Sequence, residues 1–157
     1  MLKKEIYIIG NQKMVADWST SGLPGWFPGS GGVLTTSTWD GYDPARDLLL
    51  THIRDNAISN VVFMSGDSHV TMVADLVDDP FDIGGYDGAT GSGSIACEFL
   101  PTSITRGNFD EMGIDPLLLP LAEGLSSGVN PHHVHSEFTK HGYGIVDVTP
   151  DTLIAEI

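Results

Sequence analysis

The chain has 157 residues, of which 41% are apolar, and this length and composition suit one globular domain with a hydrophobic core. Its 21 acidic residues outnumber 7 basic ones, so binding to nucleic acid through a basic patch is not expected. No apolar run approaches the roughly 20 residues needed to cross a bilayer, and residues 1–6 do not form a secretory signal peptide. The single cysteine, Cys97, excludes an internal disulfide and a multi-cysteine zinc site.

The amino-terminal half predicts a strand, a helix and a second strand. A short strand pattern covers residues 5–9. Asp43 followed by Pro44 is typical of a helix start, and the predicted helix runs to about Asn56. Residues 60–64 are rich in β-branched side chains and predict a buried strand. The apolar face of the helix is expected to contain Ala45, Leu48, Leu49, His52 and Ile53.

The carboxyl-terminal half predicts one helix and four further strands. The helix is expected at residues 115–125. The strands are expected at residues 70–76, 94–99, 142–148 and 153–157, with a Thr149-Pro150-Asp151 turn between the last two. The chain is therefore of the mixed α/β class, and several strands have no obvious partner within it.

The segment Ser65-Gly66-Asp67-Ser68-His69 directly follows the buried strand at residues 60–64. The carboxyl ends of strands in α/β sheets commonly carry ligand sites. If the segment is extended, Asp67 and His69 point to one side and together suit Fe, Zn, Mn or Ca ions. Alternatively, Asp67 caps a turn and His69 packs on the surface. Spacing alone slightly favours the turn.

Other polar patterns offer weaker candidate sites. Ser68 resembles the nucleophile of GDS-type esterases, but no Asp or Glu lies three residues before a His, so the expected base is missing. His133 and His135 could share a strand face and chelate a metal, but no second pair lies at a recognisable spacing, and the pattern favours loop or strand-edge residues after Asn130-Pro131. The glycine-rich residues 88–93 lack the Gly-Lys-Ser/Thr of a phosphate-binding loop.

Several blocks, taken in order, resemble one family. They are Trp39-Asp40-Gly41-Tyr42, NVVFMSGDSH at residues 60–69, CEFLPTSIT at residues 97–105, Asn130-Pro131-His132, and HGYG followed by VDVTP at residues 141–150. Together they resemble the PhoD-like alkaline phosphatases, which are calcineurin-like metallophosphoesterases. The resemblance covers nearly the whole chain. It implies an α/β fold that is part of a two-sheet sandwich flanked by helices.

The resemblance also implies a metal site and a reaction. Asp67 and His69 match the family's metal ligands for phosphoester hydrolysis, with Fe and Ca as the implied ions and Zn or Mn as alternatives. Trp39, Asp40 and Tyr42 would lie near the pocket, either supporting the ligands or facing the substrate, although a turn that starts the helix also explains them. Cys97 does not match the family's cysteine ligand and is interpreted as a core residue.

Family members are much longer than this chain, and their first metal motifs lie upstream of the region that it resembles. Residues 1–157 are therefore expected to be the carboxyl-terminal portion, with an incomplete site and no activity alone. An amino-terminal half or another subunit would supply the missing ligands, and the substrate would be a small phosphoester. The alternative is a non-catalytic acidic α/β module that binds a partner through uncovered apolar sheet surface. Because family members are commonly exported, the resemblance implies a periplasmic or extracellular parent.

Overall fold

The computed structural model describes residues 5–32 and 35–157. These residues form a five-stranded sheet, a two-stranded sheet, two α-helices and a short 3₁₀ helix at Trp39–Gly41. None of the helices in these two ranges is both long and apolar enough to cross a membrane. The strands are β1 (Tyr7–Gly10), β2 (Val61–Met64), β3 (Thr71–Leu76), β4 (Ala96–Leu100), β5 (His133–Glu137), β6 (Ile145–Val148) and β7 (Leu153–Glu156). The helices are α1 (Asp43–Asp55) and α2 (Leu119–Val129).

The five-stranded sheet has the order β1-β2-β4-β3-β5 and is mixed. Strands β1, β2 and β4 run parallel, whereas β3 runs antiparallel to both β4 and β5. Helix α1 lies between β1 and β2 in the chain, as the crossover between parallel strands requires. Because β1, β2 and β4 point the same way, the loops that follow them meet at one edge of the sheet, which we call the carboxyl edge.

The predicted α/β class is confirmed, and six of the strands lie close to their predicted positions. Helix α1 begins at Asp43, as predicted. The second helix begins at Leu119, later than the predicted residue 115, because the carboxylate of Asp115 accepts a hydrogen bond from the backbone N–H of Leu117 and residues 115–118 form a turn. Pro120 then occupies the first turn of α2, where proline is tolerated.

The predicted apolar face of α1 is partly wrong. Its buried residues are Arg46, Leu50 and Ile53, whereas Leu48 is 72% exposed. An arginine can occupy a buried helix position only when its guanidinium has partners. These partners lie in the loop after β1.

Four aromatic side chains from loops form much of the core. Trp18, Phe27, Phe109 and Phe138 are all buried. The ring centroids of Phe27 and Phe109 are 5.1 Å apart, and those of Phe109 and Phe138 are 5.3 Å apart. These edge-to-face arrangements are the favoured geometry for aromatic pairs. The loops after β1, β4 and β5 are therefore packed against one another as parts of the core.

A buried carboxylate joins the loop after β1 to the middle of the sheet. Glu98 on β4 is 1% exposed, and its oxygens accept hydrogen bonds from the backbone N–H groups of Val15 at 2.9 Å and Ala16 at 2.8 Å. Arg46 donates to the Val15 carbonyl at 2.8 Å and lies 3.1 Å from the Asp17 carboxylate. Burial raises the pKa of Glu98, while these hydrogen bonds oppose the rise. Charged side chains from β4 and α1 thus provide hydrogen-bond partners for the backbone groups of this loop.

Asp40 holds the next residue of the same loop. Its buried carboxylate accepts a hydrogen bond from the backbone N–H of Trp18 at 3.1 Å. Burial raises the pKa of Asp40 to about 7, and the hydrogen bond from Trp18 opposes this rise without cancelling it. The ionised form of Asp40 is therefore costly in the folded state.

Glu98→Ala should lower the free energy of unfolding by about 2–5 kcal/mol, because two buried N–H groups lose their acceptor and Arg46 loses a nearby negative charge. Urea unfolding followed by tryptophan fluorescence measures the change. Glu98→Gln keeps one acceptor oxygen and should lose less. Glu156→Ala, at an exposed position of β7, is the control and should change stability by less than about 0.5 kcal/mol. Equal losses for Glu98→Ala and Glu156→Ala would contradict the role of Glu98.

Asp40→Asn should stabilise the fold at pH 8 and not at pH 4. The pKa of Asp40 is about 7 in the folded chain against 3.8 as its ordinary value, so the wild type loses stability as pH rises through this interval. Asparagine can still accept from Trp18 and carries no charge. The difference should be absent below about pH 4 and reach a few kcal/mol above about pH 7. Urea unfolding at a series of pH values measures it, and a constant difference would contradict the assignment.

Candidate metal site at the carboxyl edge of the sheet

The loop after β2 carries Asp67 and His69 in an unusual backbone conformation. The φ angle is +70° at Asp67 and +57° at His69, both in the left-handed region. Few residues other than glycine adopt this region, although Asp and His do so more often than bulky residues. Each such residue costs on the order of 1 kcal/mol. The segment is therefore not extended, and the predicted reason for the two side chains to converge was wrong.

Asp67 and His69 nevertheless line the same cavity, which has a volume of about 240 Å³. The loop after β1 contributes Lys13 to its wall, and the loop after β4 contributes Phe109 and Met112. The cavity thus lies at the carboxyl edge, as the position after a parallel strand predicted. The assignment of Asp67 and His69 as metal ligands stays a prediction.

Lys13 forms an ion pair with Asp67. The Lys13 ammonium donates a hydrogen bond to the Asp67 carboxylate, which lowers the pKa of Asp67 below its ordinary value. The two side chains are 37% and 56% exposed, so the pair adds little stability. Its importance is chemical, because a positive charge already lies on a predicted ligand. Lys13 was not among the predicted site residues, although its position shortly after β1 indicates the same edge of the sheet.

The described residues supply only a small donor set at this edge. Within residues 5–32 and 35–157, no three His, Cys, Asp or Glu side chains are arranged to hold a metal ion.

Cys97 lies on β4, where burial raises its pKa to about 11. That thiol stays protonated near neutral pH, but Cys97 is only half-buried and lies on the less buried side of β4, so its predicted core position is confirmed only in part. In the same ranges Ser68 makes no hydrogen bond with a histidine, so a serine nucleophile gains no support.

His133 and His135 do not form the predicted chelating pair, and the neighbouring His132 is bonded to the same carbonyl as His133. The Nε2 atoms of His132 and His133 lie 2.9 and 2.7 Å from the carbonyl oxygen of Asp17, which can accept a hydrogen bond from each ring. Burial lowers the pKa of His133 to about 3 and also lowers that of His132, so both rings are neutral near pH 7. His135 is exposed on β5, whereas His133 is buried. The predicted shared face of His133 and His135 is therefore absent.

Trp39 and Tyr42 line a second cavity of about 240 Å³ beside the first. Both cavities have Lys13, Ser37 and Thr38 in their walls. Asp40 belongs to neither wall and is instead bonded to the backbone of Trp18. Asp40 lines a separate cavity of about 330 Å³ together with Asp17 and Arg46, so the three residues singled out in the sequence do not share one cavity.

Gly41 has a structural reason to be glycine. A Cβ atom there would overlap the backbone of Thr36, including its carbonyl oxygen. The 3₁₀ helix at Trp39–Gly41 can therefore lie this close to the backbone of Thr36 only with glycine at position 41.

Known proteins resemble this chain in both sequence and fold. Alkaline phosphatase D of Bacillus subtilis (strain 168) is 29% identical over 102 residues, which cover 64% of this chain and 15% of that protein. A solved structure of PhoD matches with a TM-score of 0.64 at 24% identity, covering 92% of this chain and 24% of that chain. This chain therefore spans a quarter or less of the length of these relatives.

The structural match shows a shared fold over most of the chain, in agreement with the predicted partial two-sheet phosphoesterase architecture. A sequence model of the family described as PhoD-like phosphatase matches residues 3–157. Because this match extends over nearly the whole sequence, the chain belongs to the PhoD-like phosphatase family.

Proposed function

We propose that this chain contributes Asp67 and His69 to the metal centre of a phosphoester hydrolase. The observation that carries this proposal is the shared cavity at the carboxyl edge, which a carboxylate and an imidazole both line. Membership of the PhoD-like phosphatase family supports a phosphoester as the substrate class. The reaction class is thus metal-dependent hydrolysis of a small phosphomonoester or phosphodiester.

The donors fit a metal ion. The Asp67 carboxylate already attracts a cation, the Lys13 ammonium, and the imidazole of His69 lines the same cavity. Mixed oxygen and nitrogen donors suit several ions, of which Fe and Ca follow from the family resemblance and Zn or Mn are alternatives. The chemistry that such ions supply when bound is polarisation of the phosphoryl oxygens and activation of water. The residues of this chain would hold the ions and orient the substrate beside them.

We further propose that the other metal ligands come either from a segment upstream in the same polypeptide or from another subunit. Asp67 and His69 give two donors, whereas hydrolytic metal sites generally have at least three protein ligands. The chain covers 24% of the solved PhoD chain, which leaves ample sequence for the remaining ligands. The chain alone is then expected to bind metal weakly and to lack activity.

The second cavity is proposed to accept the organic part of the phosphoester. Trp39 and Tyr42 offer ring surfaces there, and Lys13 lies between this cavity and Asp67. A substrate with its phosphate near Asp67 would then place an aromatic or apolar group against these rings. Asp40 would act indirectly, by holding the loop that carries Trp18.

Uncovered apolar surface supports a second candidate function, which is binding to another polypeptide segment. Strand β1 lies at the edge of the sheet, with Tyr7 46% and Ile8 47% exposed. A groove of about 480 Å³ runs between β1 and α1, with apolar walls that include Leu49, Ile53 and Val61. Exposed apolar surface of this kind commonly marks an interface.

The β6–β7 hairpin adds to this surface, since it forms a sheet of its own and exposes Ile145, Val148 and Ile154. We propose that the segment supplying the missing ligands covers both surfaces. A non-catalytic acidic binding module is the alternative. From the family resemblance we also propose a periplasmic or extracellular parent, which cell fractionation would test.

Hydrolysis of p-nitrophenyl phosphate tests the metal centre. The chain, combined with a polypeptide carrying the upstream PhoD-like motifs, should hydrolyse the substrate when Fe and Ca, or Mn or Zn, are added. A chelator should abolish the activity. Asp67→Asn and His69→Ala should each lower kcat/KM by about 100-fold or more, because each removes a ligand. Asp55→Asn, in an exposed ion pair with Arg54, is the control and should leave kcat/KM unchanged.

Full activity in Asp67→Asn would contradict the assignment of that residue. A combined sample without activity, together with a monodisperse chain that binds no metal, would favour the non-catalytic module.

Ile8→Lys tests the proposed interface at β1. It should weaken association with the upstream polypeptide by about tenfold or more, because a buried isoleucine contributes about 1.5–3 kcal/mol. Light scattering or sedimentation velocity measures the association. Leu48→Lys is the matched control, since Leu48 is more exposed and lies outside the groove. If both variants associate like the wild type, β1 is not the interface.

A further inference from the structure

Thr102 lies close to the loop that carries Asp67 and His69. It is the second residue after the end of β4 and is buried. Strand β4 lies between β2 and β3, so the loop that joins β2 to β3 must pass over the end of β4. The fold therefore places the Thr102 hydroxyl next to the backbone of this loop.

Two acceptors compete for the hydroxyl hydrogen of Thr102. Its Oγ1 lies 3.3 Å from the carbonyl oxygen of His69 and 3.3 Å from Oδ1 of Asn108. A hydroxyl group has one hydrogen and can donate to only one of them. Asn108 is fully buried, and its Nδ2 has no hydrogen-bond partner among residues 5–32 and 35–157. A buried amide N–H group without a partner is costly.

A half-turn of the Asn108 amide about its Cβ–Cγ bond gives the Nδ2 donor a partner and leaves the Thr102 hydroxyl with one acceptor. Oδ1 then takes the position without a partner among the described residues, so one buried acceptor is unsatisfied in place of an N–H₂ donor group. The two ends of an amide have the same shape, and their hydrogen-bonding partners determine which is the oxygen. After the rotation, Nδ2 of Asn108 donates to Oγ1 of Thr102, and the Thr102 hydroxyl donates to the carbonyl of His69. The three residues then form a continuous relay of hydrogen bonds that ends on the backbone of His69.

We propose that Thr102 and Asn108 are positioning residues for His69, and that their hydrogen-bond relay holds its backbone in the left-handed conformation. Such a conformation persists only where the surrounding structure supports it. The direction of the imidazole depends on that backbone, so the relay would fix a metal ligand without touching the metal. The metal role of His69 rests on the proposed function, whereas the relay itself rests on the contacts of Thr102.

The relay has a test that needs no metal. Thr102→Val preserves the shape of the side chain and removes the hydroxyl. In the metal-free chain, the NMR chemical shifts and HN–Hα coupling of His69 should move away from those of a left-handed residue. Thr102→Ser, which keeps the hydroxyl, should restore them. Urea unfolding establishes that each variant is folded, and Asn108→Leu replaces Thr102→Val if the latter does not fold.

Unchanged backbone signals of His69 in folded Thr102→Val or Asn108→Leu would overturn the inference, whatever the metal chemistry. The expected result is a change confined to the β2–β3 loop, including His69.

Zn²⁺ titration links the relay to the metal site. The ring signals of His69 report Zn²⁺ binding, and Thr102→Val should weaken the apparent affinity by about tenfold or more, as expected for loss of a group that orients a ligand. Thr102→Ser should bind like the wild type. Equal affinity in Thr102→Val would overturn the positioning role. If Zn²⁺ does not affect the His69 ring of the wild type even when the upstream polypeptide is present, the proposed function fails, and the metal-free test still decides the relay.

Discussion

The buried carboxylate of Glu98 is the interaction on which the candidate site depends. It lies in the middle of the sheet and accepts hydrogen bonds from backbone N–H groups of the loop after β1. Arg46 of α1 donates a hydrogen bond to a backbone carbonyl of the same loop. Lys13 and Trp18 flank this anchored segment, one at the cavity and the other in the aromatic core. A network of buried charges with all its partners present is rigid. The backbone segment that follows Lys13 is therefore held by contacts well inside the molecule.

Parallel strand direction explains why residues far apart in sequence meet at one cavity. Lys13 follows β1, Asp67 follows β2 and Phe109 follows β4, and these three strands point the same way. The uncovered apolar surface lies along the outer side of β1 and at the β6–β7 hairpin. A partner segment could thus dock along β1 and bring additional ligands to the carboxyl edge without covering the cavity.

Local patterns predicted most elements, because strand and helix signals depend on near neighbours. They fixed the mixed α/β class and the start of α1 at Asp43, while the resemblance supplied the two-sheet architecture. The buried charges were harder, since Glu98 and Arg46 are stable in the core only through partners distant in sequence. One indication was present, because Glu98 alternates with Ala96 and Leu100 on the buried side of β4. The left-handed backbone at Asp67 and His69 arises from loop contacts that periodicity does not encode.

The positive φ angles at Asp67 and His69 lower the stability of the loop, whereas the metal-binding role proposed for these residues requires their side chains. Glycine adopts positive φ without steric cost, as Gly91 and Gly93 do in this chain. Replacing Asp67 or His69 with glycine would relieve the strain in the loop. The same change would remove a side-chain atom that is proposed to bind the metal. Directed evolution of this chain for heat resistance alone would therefore tend to erase these two side chains, and a library made for that purpose should hold both positions constant.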